Sequence, residues 1–390
     1  MHKVLTLNQI AIEGLERFPR DRFEVGTEIH DPDAILVRSH QLGADNATPR
    51  LRAVARAGAG VNNIPVADYT AAGIVVFNTP GANANSVKEI VIAGMLLAAR
   101  DIAGGMRFVD GLAETTDAAA LHRLVEGEKK RFRGGEIAGK TLGVVGLGAI
   151  GSRVAEVGLR LGMRVLGFDP AISVDAAWRL PAEVQRMENL PSLLARSDYV
   201  TLHVPAMDAT RHMLDGTALG SVREGAVLLN FARDEVVDPQ AVIKALDDGR
   251  LRRYVSDFPE PGLVGRPDVL LTPHLGASTD EAEQNCAMMA ADQLMDFLEH
   301  GNIRNSVNFP AVILERTAGH RIAVINQNVP KMLGKILSAL ADQDLNIIDM
   351  LNKSRDEIAY NLIDIEAPPT AALMAQLCAI EGVVNVRSFD

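Results

Sequence analysis

The residues best suited to binding a nucleotide form a glycine pattern in the middle of the chain. Gly146, Gly148 and Gly151 stand in the order G-x-G-x-x-G, after an apolar strand pattern and before an amphipathic helical one. In this context the first glycine makes a tight turn, the second lets a pyrophosphate approach the backbone, and the third lets the helix pack against the sheet. The pattern therefore predicts a dinucleotide site.

An acidic residue after the next strand pattern indicates which dinucleotide binds. Asp169 ends the run MRVLGFD, and Pro170 follows it where an arginine would favour NADP. A carboxylate at this point accepts hydrogen bonds from the adenosine ribose hydroxyls and repels a 2′-phosphate. The sequence therefore predicts NAD as cofactor. The alternative is a plain turn between strand and helix, with Asp169 as a cap of the strand end.

Polar residues at the ends of the later strand patterns could carry out acid/base chemistry. In a doubly wound sheet the ligand lies outside the carboxyl ends of the strands, where the sequence places His203, Arg233, Asp257, Glu260 and His274. Oxidation of a 2-hydroxy acid needs a cation for the carboxylate, a base for the hydroxyl proton and an anion beside that base. Arg233, His274 and Glu260 can fill these three roles.

An α/β framework must position these residues. Five β-rich runs between 3 and 80 alternate with helical patterns and predict a small parallel α/β unit. Six strand patterns between 141 and 274, after a polar stretch at 113–139, have the spacing of a doubly wound sheet. Amphipathic patterns at 85–100 and 277–300 predict two long helices, the second closed by a glycine.

The chain ends in a different order of elements. From His320 onward the patterns run strand, helix, strand, strand, helix, strand, which predicts a ferredoxin-like module. We therefore expect two Rossmann-like or flavodoxin-like α/β lobes and a βαββαβ module.

Several motifs resemble one enzyme family. NFARDEVVD (230–238), SDFPEP (256–261) and LTPHLGAST (271–279) are similar to the successive arginine, glutamate and histidine motifs of the D-2-hydroxyacid dehydrogenases. The similarity continues through RAGAGVNNIPV, NTPGANANSVKE, GKTLGVVGLGAIG and GNIRNSVNFP, and covers nearly everything before residue 311. Within the family it is greatest to members that oxidise D-3-phosphoglycerate with NAD, the first committed step of L-serine biosynthesis.

The resemblance implies a discontinuous substrate-binding domain at 1–84 and 277–310, a nucleotide-binding domain at 85–276 and a regulatory domain at 319–390. It also implies a role for each matching residue. Arg233 would bind the substrate carboxylate, while Glu260 and His274 would form the acid/base pair. Asp257 would hold the nicotinamide carboxamide, and His203 would be structural. The resemblance also places four further residues in the cofactor cleft: Ala149, Ile150, Val204 and Ala232.

A phosphorylated substrate needs cations besides Arg233, which the carboxylate occupies. Arg38 follows one strand pattern and Arg56 begins the motif RAGAG; similar phosphoglycerate enzymes have arginines in these motifs. The following turn, with Gly60, Val61 and Asn62, could offer backbone N–H groups to the anion.

Two departures and one basic segment bear on this site. Asp234 stands where the family usually has glycine, and the loop between Asp257 and Glu260 is shorter than usual. The run at 129–131, Lys-Lys-Arg, resembles a segment that reaches the neighbouring subunit's substrate site, or it is simply a solvated face.

The tail resembles an ACT domain, which in phosphoglycerate enzymes binds serine between two copies. Asn328 and Asn346 agree with the serine-binding pattern, whereas Asn326 stands where some members have histidine and Lys331 where a glycine is common. L-serine is therefore a possible effector, with an oligomerisation surface as the alternative. A homo-oligomer, dimer or tetramer, is expected.

Composition excludes other classes of protein. A net charge of −11 and 4% aromatic residues argue against nucleic-acid binding. The longest apolar run, 90–99, is too short to span a membrane, and no signal-peptide pattern is seen, so a cytoplasmic location is expected. No metal site is expected, and Cys286 and Cys378 are expected to be buried thiols. Two other functions remain open: a glyoxylate or hydroxypyruvate reductase, or a non-catalytic NAD-sensing regulator.

Overall fold

The computed structural model describes residues 1–316 and 318–389 and divides into two compact units. Unit 1 contains 1–83 and 280–390, and unit 2 contains 84–279. Asp390, the last residue of the expected regulatory domain, lies outside the described residues.

The first part of unit 1 is a parallel sheet of five strands in the order β2-β1-β3-β4-β5, the flavodoxin-like order. Its elements are β1 (His2–Leu7), α1 (Ile12–Leu15), β2 (Phe23–Gly26), β3 (Ala34–Val37), β4 (Ala53–Arg56), α2 (Val66–Ala71) and β5 (Val75–Phe77). All of β3 and β5 is buried, as expected for strands covered on both faces.

Unit 2 is built on a parallel sheet of seven strands in the order β12-β11-β10-β9-β6-β7-β8, the doubly wound order with one extra strand. Its first elements are α3 (Ala84–Ala99), α4 (Ile102–Asp110), α5 (Ala118–Glu128), β6 (Thr141–Val145), α6 (Gly151–Arg160), β7 (Arg164–Phe168), α7 (Val174–Trp178) and β8 (Gln185–Arg186). The remainder are α8 (Leu190–Arg196), β9 (Tyr199–Leu202), α9 (Gly216–Gly220), β10 (Ala226–Asn230), α10 (Pro239–Asp247), β11 (Leu251–Ser256) and β12 (Val269–Leu271).

Helix α11 and the tail module, residues 320–389, complete unit 1. The elements are α11 (Asp280–His300), β13 (His320–Gln327), α12 (Met332–Ala341), β14 (Ile347–Arg355), β15 (Ile358–Ile365), α13 (Ala371–Cys378) and β16 (Val383–Phe389). The strands form an antiparallel sheet in the order β14-β15-β13-β16. Two α/β units and a βαββαβ module were expected from the sequence, and this fold class is confirmed.

The tail sheet has an apolar face on each side. One face packs against α12 and α13 through Ile322, Val324 and Ile363. The other belongs to the same core as the five-stranded sheet and α11, and there Phe389 meets Phe297 edge to face with ring centroids 6.4 Å apart. The tail module therefore shares a core with the rest of unit 1, where the sequence suggested a separate domain.

A buried arginine adds polar contacts to this shared core. Arg321 is fully buried and donates from Nε and Nη2 to the carboxylate of Asp364, at 2.6 and 2.7 Å. Its Nη1 donates to the carbonyl oxygens of His300, at 3.0 Å, and Leu314, at 2.9 Å. The guanidinium thus joins the tail sheet to the end of α11.

One expectation about the cysteines is wrong. Cys286 is buried on α11, but Cys378 is exposed. On α13 the positions that face the core are Leu373 and Leu377, four residues apart, so the next residue points away from it. Within the described residues, no helix is long and apolar enough to cross a membrane.

Candidate active site

The carboxyl ends of the strands of unit 2 meet at one edge of its sheet. All the cofactor and catalytic residues expected from the sequence lie in the loops at this edge. These residues are Gly146 to Gly151 after β6, Asp169 after β7, His203 and Val204 after β9, Ala232 and Arg233 after β10, Asp257 and Glu260 after β11, and His274 after β12.

In the nucleotide loop, residues 146–151, each of the three glycines lacks a side chain for a different steric reason. Gly146 has φ of 87°, and a Cβ there would lie 2.5 Å from the carbonyl oxygen of His203. A Cβ on Gly151 would lie 1.9 Å from the carbonyl oxygen of Gly146, so the helix start packs directly on the loop. A Cβ on Gly148 would meet no atom within 4 Å, which leaves that side of the backbone open.

This loop fits a pyrophosphate. In the described structure the N–H groups of Gly148, Ala149 and Ile150 donate no hydrogen bond to the chain. Ile150 is the N-cap residue of α6, and its side chain makes no capping hydrogen bond to the first turn of that helix. Unbonded N–H groups at the start of a helix attract anions. Asp169 accepts from the N–H of Leu147 at 2.8 Å, so it also caps the strand end, as the alternative interpretation holds.

The turn that carries His274 is held by Asp257. This carboxylate is 2% exposed and accepts from Thr272 Oγ1 at 2.6 Å and from the N–H groups of Leu275 and Gly276, each at 2.7 Å. The Asp257 carbonyl oxygen accepts from the N–H of His274 at 2.9 Å. These bonds hold His274 at φ of 57°, a conformation that few non-glycine residues adopt. Its exposed imidazole lies edge to face with Phe258, at 5.0 Å between centroids.

Arg233 is positioned by a buried asparagine. Asn230, fully buried at the end of β10, accepts from the N–H of Ala232 at 3.1 Å and donates to the carbonyl oxygen of Arg233 at 2.9 Å. The Arg233 guanidinium bonds only to the carbonyl oxygen of Ala232, at 2.7 Å, within the part of the chain the structure describes. Because no carboxylate pairs with it, this guanidinium can bind a substrate carboxylate.

Glu260 and His274 are not hydrogen-bonded to each other in the described structure. Glu260 is partly buried in the loop after β11 and lies close enough to the Tyr254 phenol to influence it. Burial raises the pKa of Tyr254, and the carboxylates of Glu260 and Asp234 act in the same direction. The acid/base pair is therefore still a prediction, and Asp234 brings a second negative charge to the same region.

His203 is unsuited to proton transfer near neutral pH. Burial lowers the pKa of its imidazole to about 3, so the ring is neutral. Its Nε2 lies 2.9 Å from Thr201 Oγ1. Both facts favour the structural role that the resemblance implied.

In unit 1, Arg38 and Arg56 lie at the ends of adjacent strands β3 and β4. Arg56 Nε donates to the carbonyl oxygen of Arg38 at 3.0 Å. The Arg38 guanidinium forms an ion pair with Glu283 of α11, a partner that the sequence did not suggest. Asn63 Nδ2 donates to the carbonyl oxygen of His40 at 2.7 Å and holds the loop after β3.

The turn after Arg56 could receive an anion through its backbone. Within the described part of the chain, the N–H groups of Gly60, Val61 and Asn62 make no internal hydrogen bond. The two arginines and this turn all belong to unit 1.

The basic run at 129–131 is partly neutralised by its neighbours. Lys129 pairs with Glu126, and Arg131 pairs with Glu128 at 2.7 Å. Both pairs are three residues apart and exposed, which is typical of a solvated face.

The three asparagines expected to bind an effector do not lie together in the tail module. Asn326 is 2% exposed, and its amide bonds to the carbonyl oxygen of Gln327 and to Asn361, so it offers no accessible group to an effector. Asn328 and Asn346 are exposed, but strand register puts them at opposite ends of the sheet, about 30 Å apart at 3.3 Å per residue. A serine contacting both would need one from each of two copies.

Three supporting residues were missed by sequence reasoning. Asn230 had a visible signal, because it is a polar residue that ends an otherwise apolar strand pattern. Thr272 and Glu283 had none, since their partners Asp257 and Arg38 are distant in sequence and are brought to them only by folding.

Comparison with known proteins places this geometry in a family. The model described as "D-isomer specific 2-hydroxyacid dehydrogenase, NAD binding domain" matches residues 102–276. A D-3-phosphoglycerate dehydrogenase of Haemophilus influenzae is 32% identical over 94% of this chain and 89% of that protein. One from Methanocaldococcus jannaschii is 32% identical over 84% of this chain, which spans only 61% of that longer protein.

Solved structures agree on the fold. TT0316 protein from Thermus thermophilus has a TM-score of 0.63 and 26% identity, covering 78% of this chain and 99% of its own. The NAD⁺-bound 3-phosphoglycerate dehydrogenase of Entamoeba histolytica has a TM-score of 0.61 and 24% identity, covering 79% and 98%.

Proposed function

This chain belongs to the NAD-dependent D-isomer specific 2-hydroxyacid dehydrogenases, and from that premise we propose that it oxidises D-3-phosphoglycerate to 3-phosphohydroxypyruvate. The observation that carries the proposal is the set of groups at the strand ends of unit 2, where Arg233 has no anionic partner among the described residues and His274 is exposed. The similarity to D-3-phosphoglycerate dehydrogenases over most of the chain supports the choice of substrate.

The residues of unit 2 divide the chemistry among them. Arg233 binds the substrate carboxylate with a planar pair of N–H groups and thereby orients C2. The imidazole of His274 accepts the hydroxyl proton on a ring nitrogen, and Glu260 stabilises the resulting positive charge. NAD, when bound, supplies the acceptor for the hydride that leaves C2.

Cofactor binding rests on the nucleotide loop and Asp169. The unbonded N–H groups of Gly148, Ala149 and Ile150 would bind the pyrophosphate, and Asp169 the adenosine ribose. Val204 and Ala232 would line the same site. Asp257 can accept one further hydrogen bond, from the nicotinamide carboxamide, because a carboxylate accepts about four hydrogen bonds and three are made inside the chain.

The phosphate of the substrate is assigned to Arg38 and Arg56, with the N–H groups of Gly60, Val61 and Asn62. Loss of one charge-assisted phosphate contact costs about 1.5–3 kcal/mol, or roughly 10- to 150-fold in kcat/KM. The ion pair between Arg38 and Glu283 supports a second candidate, a reductase of unphosphorylated acids such as hydroxypyruvate, because it opposes a phosphate at Arg38.

Substrate comparison tests these assignments. We expect Arg38→Ala and Arg56→Ala to lower kcat/KM for phosphohydroxypyruvate much more than for hydroxypyruvate. Arg22→Ala is the matched control, since Arg22 is another arginine of unit 1 in an exposed ion pair, with Glu299. If both variants leave the preference between the two substrates unchanged, the phosphate assignment is wrong. If the wild-type chain oxidises no D-3-phosphoglycerate with NAD, the proposed function is wrong.

We further propose that L-serine binds between two copies of the tail module, with Asn328 of one copy and Asn346 of the other. The opposite-end placement of these exposed residues supports a homo-oligomeric site. The initial rate should fall as L-serine is added, and Asn346→Ala should abolish that fall while leaving the basal rate intact. A rate independent of serine would leave the tail with an assembly role only.

A further inference from the structure

The pairing of Arg38 with Glu283 connects a proposed phosphate ligand to an internal anion. Both side chains are about 40% exposed, so the pair sits at the surface of unit 1 with one side open to solvent. Arg38 follows β3, Glu283 lies in the first turn of α11, and 245 residues separate them. The two side chains are therefore brought together only when unit 1 folds.

The charges of Arg38, Arg56 and Glu283 all influence the thiol of Cys286 on α11. Burial raises the pKa of the Cys286 thiol, the guanidinium groups of Arg56 and Arg38 act to lower it, and the carboxylate of Glu283 acts to raise it. Arg56 donates to the backbone of Arg38, and Arg38 pairs with Glu283, so the three side chains lie near one another at the start of α11. The cluster carries two positive charges and one negative charge.

A phosphate monoester has a charge close to −2 near neutral pH. At Arg38 it would compete with the Glu283 carboxylate for the same guanidinium and be repelled by it. A substrate without a phosphate meets no such conflict. The carboxylate of Glu283 therefore lowers the affinity for phosphorylated acids relative to unphosphorylated ones.

We infer that Glu283 is a specificity-determining residue, an internal anion that occupies Arg38 and sets how strongly this enzyme prefers a phosphorylated 2-hydroxy acid. The inference rests on the proposed function, since it takes Arg38 as a phosphate ligand. It predicts a graded preference for phosphate rather than an absolute requirement.

The test compares wild type with Glu283→Gln, which keeps the shape of the side chain and removes its charge. We expect KM for phosphohydroxypyruvate to fall about three- to fivefold with kcat unchanged, and KM for hydroxypyruvate to stay within about 1.5-fold. Asp292→Asn is the control, because it removes the same charge from another exposed ion pair of α11, that with Arg17. It should change neither constant.

A double-mutant cycle shows whether Glu283 acts through Arg38. In an Arg38→Ala background, Glu283→Gln should change the ratio of kcat/KM for the two substrates much less than it does in the wild type. An effect of equal size in both backgrounds, or an unchanged ratio in the single variant, would overturn the inference.

Binding of inorganic phosphate, measured by calorimetry, separates this inference from the proposed function. Glu283→Gln should tighten phosphate binding about three- to fivefold whether or not the enzyme turns over phosphoglycerate. If phosphate affinity is unchanged while Arg38→Ala still weakens turnover of the phosphorylated substrate, the proposed function stands and the role of Glu283 is wrong.

Discussion

Alanine at the second or third glycine of the nucleotide loop should separate cofactor binding from folding. On Gly151 the new Cβ would lie 1.9 Å from the carbonyl oxygen of Gly146, where ordinary contact begins near 3.4 Å. Loop and helix must then move apart by more than 1 Å, and such overpacking costs about 1–3 kcal/mol. Gly151→Ala should therefore lower the stability of unit 2 by that amount.

Gly148→Ala should behave in the opposite way. The added methyl group would meet no atom of the chain within 4 Å, so the free energy of unfolding should change by no more than about 0.5 kcal/mol. The same methyl group would stand where a pyrophosphate approaches the backbone. We expect the Kd for NADH to rise at least about tenfold, or about 1.4 kcal/mol.

The chain provides its own optical probe for this experiment. Trp178 is the only tryptophan and lies in α7, which follows Asp169 in unit 2. Energy transfer from Trp178 to NADH reports binding, and urea unfolding reports stability. Gly216→Ala, whose methyl group would also meet no atom within 4 Å, is the control for both measurements.

Two results would refute this reasoning. NADH binding by Gly148→Ala at wild-type strength would remove the loop from the cofactor site. Wild-type stability in Gly151→Ala would contradict the close approach of helix and loop.

Three further variants test local energetics by urea unfolding. Lys331 has φ of 76°, so Lys331→Gly should stabilise the protein by about 1 kcal/mol, and a loss would contradict the backbone-strain argument. Burial lowers the pKa of His203 to about 3, so below pH 6.5 the unfolded chain takes up a proton that the folded chain does not. The free energy of unfolding should then be greatest above pH 6.5 and about 2 kcal/mol lower at pH 5. It should depend less on pH in His203→Gln, and an unchanged pH dependence in that variant would show that His203 is not its cause. Asp364→Asn removes the counter-charge of the buried Arg321 and should cost about 3–5 kcal/mol, whereas Asp356→Asn, at an exposed residue, should cost almost nothing.

The strand ends of unit 2 could be predicted because parallel buried strands leave a strong sequence pattern. Runs such as YVTL and AVLLN are apolar throughout, and their ends mark the loops where ligands bind. Helix α5 was not recognised, because none of its residues is buried and its stretch of sequence reads as polar. Exposed helices lack the apolar periodicity on which such predictions depend.

Pairing between distant charges could not be predicted at all. The sequence shows that Arg38 and Glu283 are charged, but it contains no signal that joins two surface residues 245 positions apart. The shared core of the tail module was missed for a related reason. An alternating strand shows that a face is apolar, but not which element covers it.

The order of the two units along the chain has a consequence for synthesis. Unit 2 is one continuous segment, so it can fold as soon as it emerges from the ribosome. Unit 1 needs both ends, because the core beneath its five-stranded sheet is closed by α11 and the tail sheet. At about 5–20 residues per second, the intervening 196 residues take roughly 10–40 s to synthesise. Throughout that interval, α11 and the tail sheet cannot yet cover the apolar face that they share with the first 83 residues, so this face stays exposed on the nascent chain.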